Sequence, residues 1–388
     1  MTPSDSPSEV PLPDTASRSA AAVGPVKQRR LLDRLIPILA GLAVLVPLGV
    51  AVASVNSQAG ASLTFTDRER DGVTYLRPLV RLLGATSDAQ SAAAAGKSVD
   101  HAGLKTASDA VDAVDARLGA VLEATEPWGD VRTRLGQLSG TSGSARSTYK
   151  TYSGVIALEL ALIAHVGDTS NLILDPELDS YYVMDATLLR VPAILADSAK
   201  ATSFTGMAEA SSVEADRVDA RVASAAVRSH VAAIDDGLNK GFRVTRSRTL
   251  ASGLFTPLAR LKDAVTTFAP PTLEVGVASQ VQERDVEEVA RTSVREASMA
   301  FESAALTELD GLLETRGDAV RGNQRLVLAL GLAGLLVAAG LTAWGAARRR
   351  GPRDRPAPDP RVDMSFVDSA PGELVGAGRT VQSPQGRP

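Results

Sequence analysis

LIPILAGLAVLVPLGVAVASV, Leu35 to Val55, contains no charged residue. Its length matches the ~20 residues an α-helix needs to cross a hydrocarbon core. A second run of the same character, LVLALGLAGLLVAAGLTAW from Leu326 to Trp344, lies far along the chain, with a long polar segment between the two. Two membrane spans are therefore predicted, over residues 35–55 and 325–347. Pro37 and Pro47 kink a membrane helix without excluding it, because neighbouring groups satisfy the freed carbonyls. A cleaved signal peptide is the alternative for the first run, since basic residues precede it and Ala51 and Ala53 make an A-x-A. The apolar core of a signal peptide is usually ~7–15 residues, which favours the uncleaved anchor.

Basic residues near the spans set the orientation. Lys27, Arg29, Arg30 and Arg34 precede the first span, and Arg348, Arg349, Arg350, Arg353 and Arg355 follow the second. Both termini are thus expected in the cytoplasm, with residues 56–324 on the outer side of the cytoplasmic (inner) membrane. Arg321 and Arg325 weaken this bias without reversing it. Residues 1–34 and 348–388 are rich in Pro, Ser, Ala or Gly and are read as disordered cytoplasmic tails. Stop-transfer suffices to explain RRRGPRDR.

The chain of 388 residues carries a net charge of −4 and has no cysteine, which excludes disulfides, thiolate metal ligands and cysteine nucleophiles. His101, His165 and His230 stand apart from one another, and no H-E-x-x-H, G-x-S-x-G or P-loop occurs. No enzyme, cofactor, metal or nucleic-acid partner is expected.

Hydrophobic period makes the outer segment all-α. Leu104, Ala107, Val111, Val114, Leu118 and Val121 recur in steps of three and four, as do Val73, Leu76, Val80 and Leu83. The same stepping links Leu250, Leu254, Leu258, Leu261, Val265 and Phe268. A last stripe runs through Ala290, Val294, Ala297, Phe301, Ala305, Leu309 and Leu312, with Glu287 and Arg291 as an i,i+4 pair on the other face. Breaks are expected near Gly96, Glu126-Pro127-Trp128, Ser139–Ser144, Asp175, Gly206, Gly241 and Pro270-Pro271, giving about six or seven helices. The first helix is expected to grow out of span 1 and the last to run into span 2.

SNLILDPELDSYYVMD, Ser170 to Asp185, reads as a helix start. Asp175 is suited to cap free N–H groups, Pro176 to the first helical position, and Glu177 and Asp179 to the positive end of the helix dipole. Leu178, Tyr181, Tyr182, Leu188 and Leu195 would form the apolar face. An EF-hand loop does not fit, since its sixth and twelfth positions would be Ser180 and Ala186 instead of glycine and glutamate. Glu159, in VIALELALIAHV, is read as the exposed edge of its helix.

Two blocks, HVGDTSNLILDPELDSYYVMD (His165 to Asp185) and DRERDGVTYLRPLVRLLG (Asp67 to Gly84), resemble the extracytoplasmic helical sensor region of bacterial chemoreceptors (methyl-accepting chemotaxis proteins) and sensor histidine kinases. The likeness is loose over Asn56–Gln324 and close over the two blocks. It implies a bundle between two spans, either a four-helix bundle with extra helices or two stacked bundles, that binds a small solute and works as a homodimer. It departs from the family after span 2, where no HAMP or output module follows in the proline-rich remainder. Any signal is therefore expected to pass to a separate protein.

The ligand-binding candidates are Tyr75, Arg77, Arg81, Asp179, Tyr181, Tyr182 and Arg190. If the ligands are carboxylates, as the resemblance implies, Arg77, Arg81 and Arg190 would be the forks that hold them. Arg77 lies off the buried stripe and Pro78 should kink its helix, so exposure and packing are the simpler readings. In span 2, Gly334, Ala338 and Thr342 form a small-residue row of the kind that lets helices approach closely. The competing reading of the whole chain is a structural or interaction protein of the cell envelope with no small-molecule ligand.

Overall fold

The computed structural model describes residues 26–141, 143–175, 177–211, 213–270 and 284–348. Of the tails read from sequence, residues 1–25 and 349–388 lie outside the described residues, as do Pro176 and Pro271, whereas residues 26–34 and 348 are helical. The described residues are helical, with no strand among them. In chain order the helices are α1 (Val26–Ala94), α2 (His101–Leu118), α3 (Thr125–Gln137), α4 (Ala145–Thr169), α5 (Leu178–Met184), α6 (Val191–Ser211), α7 (Glu214–Val244), α8 (Leu250–Phe268) and α9 (Arg284–Arg348). A π-helical stretch, Asp185–Arg190, joins α5 to α6.

Among the described residues, α1 and α9 are the two helices long and apolar enough to cross a membrane. Neither is interrupted between its apolar stretch and the part that carries core residues. Two compact units are distinguished, one of them Leu42–Leu336. The other takes in the remaining helical ends, where a Cβ on Gly41 would lie 3.7 Å from Thr342. Within Leu42–Leu336, α1 and α9 run antiparallel, as the pairs Asn56–Gln324, Arg70–Asp310, Arg77–Leu306 and Asp88–Arg291 show. Large apolar side chains stand exposed at the apolar ends, Val46 and Val50 on α1 and Leu330 and Leu336 on α9 among them.

α1 is the central helix of the core. Val73, Tyr75, Leu76, Leu79, Val80, Leu82 and Leu83 are all buried, so nearly every face of this stretch is covered. α4 packs antiparallel to it, through Gln90 with Ser153 and Thr86 with Glu159. The expected stripes on α1 and α8 are buried as read, that on α9 is buried except for the half-buried Ala297 and Leu312, and Val121 falls beyond the end of α2 and is exposed.

Several predicted breaks move. Pro127 sits in the first turn of α3, where its missing N–H costs nothing, so Glu126-Pro127-Trp128 begins a helix. The break precedes it, around Glu123, whose φ of 53° is left-handed. Gly206 and Gly241 are helical, inside α6 and α7; α6 ends instead at Ser211 and α7 at Val244. Arg291 ion-pairs with Asp88. Glu159 is a correction of another kind: it is fully buried and not at an exposed edge.

The π stretch explains why the face predicted for α5 is wrong. A π turn inserts an extra residue into the helical count, so the stripe set by Leu188 and Leu195 emerges one position earlier upstream. Ser180, Val183 and Met184 are buried, whereas Leu178 and Tyr181 are exposed. Arg190 bonds to Asp185 at 3.0 and 3.2 Å, five residues back, across this stretch.

Two substitutions separate core from surface. Phe301→Ala should destabilise the full chain in detergent by about 3–5 kcal/mol, because Phe301 is fully buried. Phe255→Ala should stay within about 0.5 kcal/mol, because Phe255 is 71% exposed. Denaturation midpoints of both variants measure the contrast; equal losses would place the core elsewhere.

Candidate functional site

The two sequence blocks singled out above meet in space. A Cβ on Gly72 of α1 would fall 2.4 Å from the Ser170 side chain and 2.9 Å from Leu172, so only glycine lets the end of α4 approach this closely. One turn below, Glu69 lies near Asp175 and Glu177, and Arg316 of α9 joins all three. Arg316 Nη2 donates to both Asp175 carboxylate oxygens at 3.0 Å and to Ser180 Oγ at 3.2 Å. Its Nε is 3.3 Å from Glu177, and its Nη1 is 3.6 Å from Glu69.

Asp175 therefore does more than begin a helix. It accepts the Glu177 N–H at 2.8 Å, an Asx turn, but α5 starts only at Leu178, with Glu177 at its N-cap. Burial opposes the charge on Arg316, yet Asp175, Glu177 and Glu69 together raise its pKa. Burial, reinforced by the nearby Asp175, pushes Glu69 up to about 7 despite Arg316.

Two further carboxyls are buried higher in the core. Glu159 of α4 accepts Thr86 Oγ1 at 2.7 Å through one oxygen and has no partner for the other. Burial raises it to about 8, against the smaller opposing effect of the Thr86 hydrogen bond. Glu302 of α9 has no hydrogen-bond partner for either oxygen, and burial holds it well above the usual carboxylate range despite the Arg77 charge. Orphaned buried carboxylates are costly, so the protonated form is the one these sites tolerate.

The residues proposed from sequence as one ligand site do not converge. Tyr75 is buried, its hydroxyl donating to Asp115 at 2.9 Å, and burial followed by that bond raises its pKa. Arg77 donates to the Leu306 carbonyl at 3.1 Å, which ties α1 to α9. Asp179 accepts from Thr245 Oγ1 at 2.7 Å. Tyr182 lies over α7, where a Cβ on Gly237 would be 3.0 Å from its ring, and Tyr181 meets it edge to face on the exposed side. Arg190 is spent on Asp185. Packing and local pairing account for these six.

Arg81 is the exception. It lines a cavity of about 580 Å³ between α1, the start of α2 and α9, together with Asp88, Arg291 and Arg295. Asp88 bridges the two α9 arginines, at 2.6 Å from Arg291 Nη1 and 3.1 Å from Arg295 Nε. Arg291 and Arg295 had no signal in the sequence beyond their spacing of one helical turn on a charged face. No group of His, Cys, Asp or Glu suited to a metal ion occurs among the described residues.

No protein-family model matches the chain, and no curated protein or solved structure matches it either.

The buried carboxyls make stability depend on pH with a definite sign. Folded Glu69 and Glu159 keep their protons up to about 7 and 8, whereas the unfolded chain releases them near 4.5. Stability from this source is greatest below pH 4.5 and falls as pH rises toward 8. Glu159→Gln should remove part of that slope, by an amount on the order of a few kcal/mol at alkaline pH. Denaturation of both proteins across the range decides it; parallel profiles would show that Glu159 is not the group titrating. Arg316→Leu, which strands Asp175 and Glu69 without a cation, should cost about 3–5 kcal/mol, and adding Glu69→Gln should recover part of the loss.

Proposed function

We propose that this chain is a two-span membrane protein whose helical domain stands on the extracytoplasmic side, receives a small solute or a protein partner, and relays a conformational change along α1 and α9 to a separate protein. The observation that carries the reading is helix continuity. α1 and α9 hold the buried core residues and the exposed apolar stretches on the same uninterrupted helices. A shift of one helix against the other in the core cannot be absorbed at a loop before the apolar ends. The two helices are also clamped to each other, by Arg70 to Asp310 at 2.7 Å and by Gln324 to Asn56 at 2.7 Å.

The exposed large apolar side chains of both ends support contact with lipid, and the basic flanks support cytoplasmic termini. The resemblance to chemoreceptor and histidine-kinase sensor regions belongs to the same proposal, as does a homodimer. The small residues of span 2 do not argue for a second copy. A Cβ on Gly334 would be 3.0 Å from Leu48, and one on Gly331 would be 2.8 Å from Val52, so both face α1 of the same chain.

An envelope scaffold is favoured by one observation. Ile173, Leu174, Leu178, Tyr181 and Leu189 are all exposed and fall within one short stretch of chain around α5. A scaffold would cover such residues with a partner and would need no solute.

Absence of native cysteine makes topology directly testable. Ser139→Cys should react with a membrane-impermeant maleimide in intact cells, and Ser365→Cys should react only after lysis. The reverse pattern would overturn the orientation. For the relay, spin labels at Asn56→Cys and Gln324→Cys should report a changed distance when Arg316→Leu removes the contacts of α9 with Glu69, Asp175 and Glu177. An unchanged distance in a folded variant would favour the scaffold.

A further inference from the structure

We propose that the cavity between α1, α2 and α9 is a binding site for a small organic oxyanion, a carboxylate or phosphate carried on a compact apolar body. This deepens the reading above by naming the class of solute. The charge in the cavity is unbalanced: Arg81, Arg291 and Arg295 line it against only Asp88 and Asp100. Neither carboxylate is free. Asp88 is held between Arg291 and Arg295, and Asp100 caps α2 by accepting the Gly103 N–H at 2.9 Å.

Arg295 is shared between Asp88 and, at 3.5 Å, Glu296, but Arg81 and Arg291 have capacity to spare. Arg81 is exposed and forms no hydrogen bond or ion pair with the described residues. Arg291 is only 8% exposed, yet its Nε is buried with no acceptor. A buried guanidinium with an orphaned donor is an unfinished site, because folding has removed water without supplying a replacement. A water would answer the donor but not the charge. An oxyanion answers both, and the planar fork of arginine fits carboxylate and phosphate alike.

The rest of the wall selects for size and an apolar body. Ala85, Ala89, Leu104 and Met299 line the same cavity, and its volume of about 580 Å³ is that of a small-molecule pocket. Gly84 has the Met299 sulfur 3.5 Å from where a Cβ would stand, so the narrow side of the cavity is already in contact. Polymers and flat cofactors do not suit a recess of this size between three helices.

The test is calorimetric titration of the full chain in lipid nanodiscs with benzoate, phenyl phosphate, inorganic phosphate and the neutral isostere benzamide. Saturable binding of benzoate or phenyl phosphate, with none of benzamide, is expected; whichever phenyl anion binds tighter identifies the head group. Arg81→Gln, at an exposed residue without partners among the described residues, should weaken binding by ~10-fold, the loss of one charge-assisted hydrogen bond, and Arg295→Gln should weaken it further. Benzamide binding as well as benzoate, or Arg81→Gln and Arg295→Gln both binding as the parent does, would overturn the proposal. So would inorganic phosphate binding as tightly as phenyl phosphate, because the apolar wall would then be unused. Anion binding without any change in the Asn56–Gln324 label distance would leave this site standing and sink the relay instead.

Discussion

Arg316 is the interaction on which the arrangement of the surrounding elements depends. Glu69 on α1 and Asp175 in the α4–α5 connection are shielded from solvent at short range, and two carboxylates so placed repel unless one is protonated or a cation lies between them. α9 supplies that cation from a third direction. Leu172 and Ser170 pack the connection against α1 at Gly72, and Arg316 neutralises the carboxylates that would otherwise oppose that approach. The guanidinium is suited to the task because its fork bonds to Asp175 and Ser180 while a second edge faces Glu69. A lysine, with one compact charge, would not span the three.

The same logic divides the remaining polar groups of the core. Arg70–Asp310 is an ion pair between α1 and α9 at the edge of the core, where partial exposure keeps the cost of charge small, whereas Asp88–Arg291 joins the same helices with its guanidinium buried. Glu159 and Glu302 are sealed inside, where the cost is large and is avoided by keeping the proton. An apolar residue at either position would pack more cheaply. Their presence adds a pH dependence that an aliphatic core would lack, and it makes the α1–α4–α9 interior the part of the domain most sensitive to alkali.

The stripes of α1, α8 and α9 were legible because burial on one face imposes a period that survives any detail of packing. Both apolar stretches were legible for a simpler reason, length without charge. The α5 face was not, since a π stretch changes the residue count without leaving a Gly or Pro to mark it. Glu159 and Arg316 were misjudged or missed because a single charged residue in a helix looks the same in sequence whether it faces water or a partner far away in the chain. Pro127 and Gly206 show the complementary error, in which a residue that breaks helices in isolation is tolerated by position or context. Arg81 was found as one of several arginines, but Arg291 and Arg295 approach it only through the antiparallel pairing of α1 with α9.

That pairing connects the cavity to the rest of the domain. Asp88 belongs to α1, and the arginines it bridges belong to α9, so the ion pair is itself a tie between the two long helices. An anion that takes the Arg291 Nε donor would share that guanidinium with Asp88, which holds its Nη1. The outcome is set by the difference in affinity between the tied and untied arrangements, since a ligand that bound both equally would move nothing. Lower on the same two helices, Arg77 to Leu306, Arg70 to Asp310 and Asn56 to Gln324 repeat the tie in register. Both helices are unbroken along this ladder, which is the condition the proposed relay places on them: a change of register at the Asp88 rung would meet no loop before the rungs below.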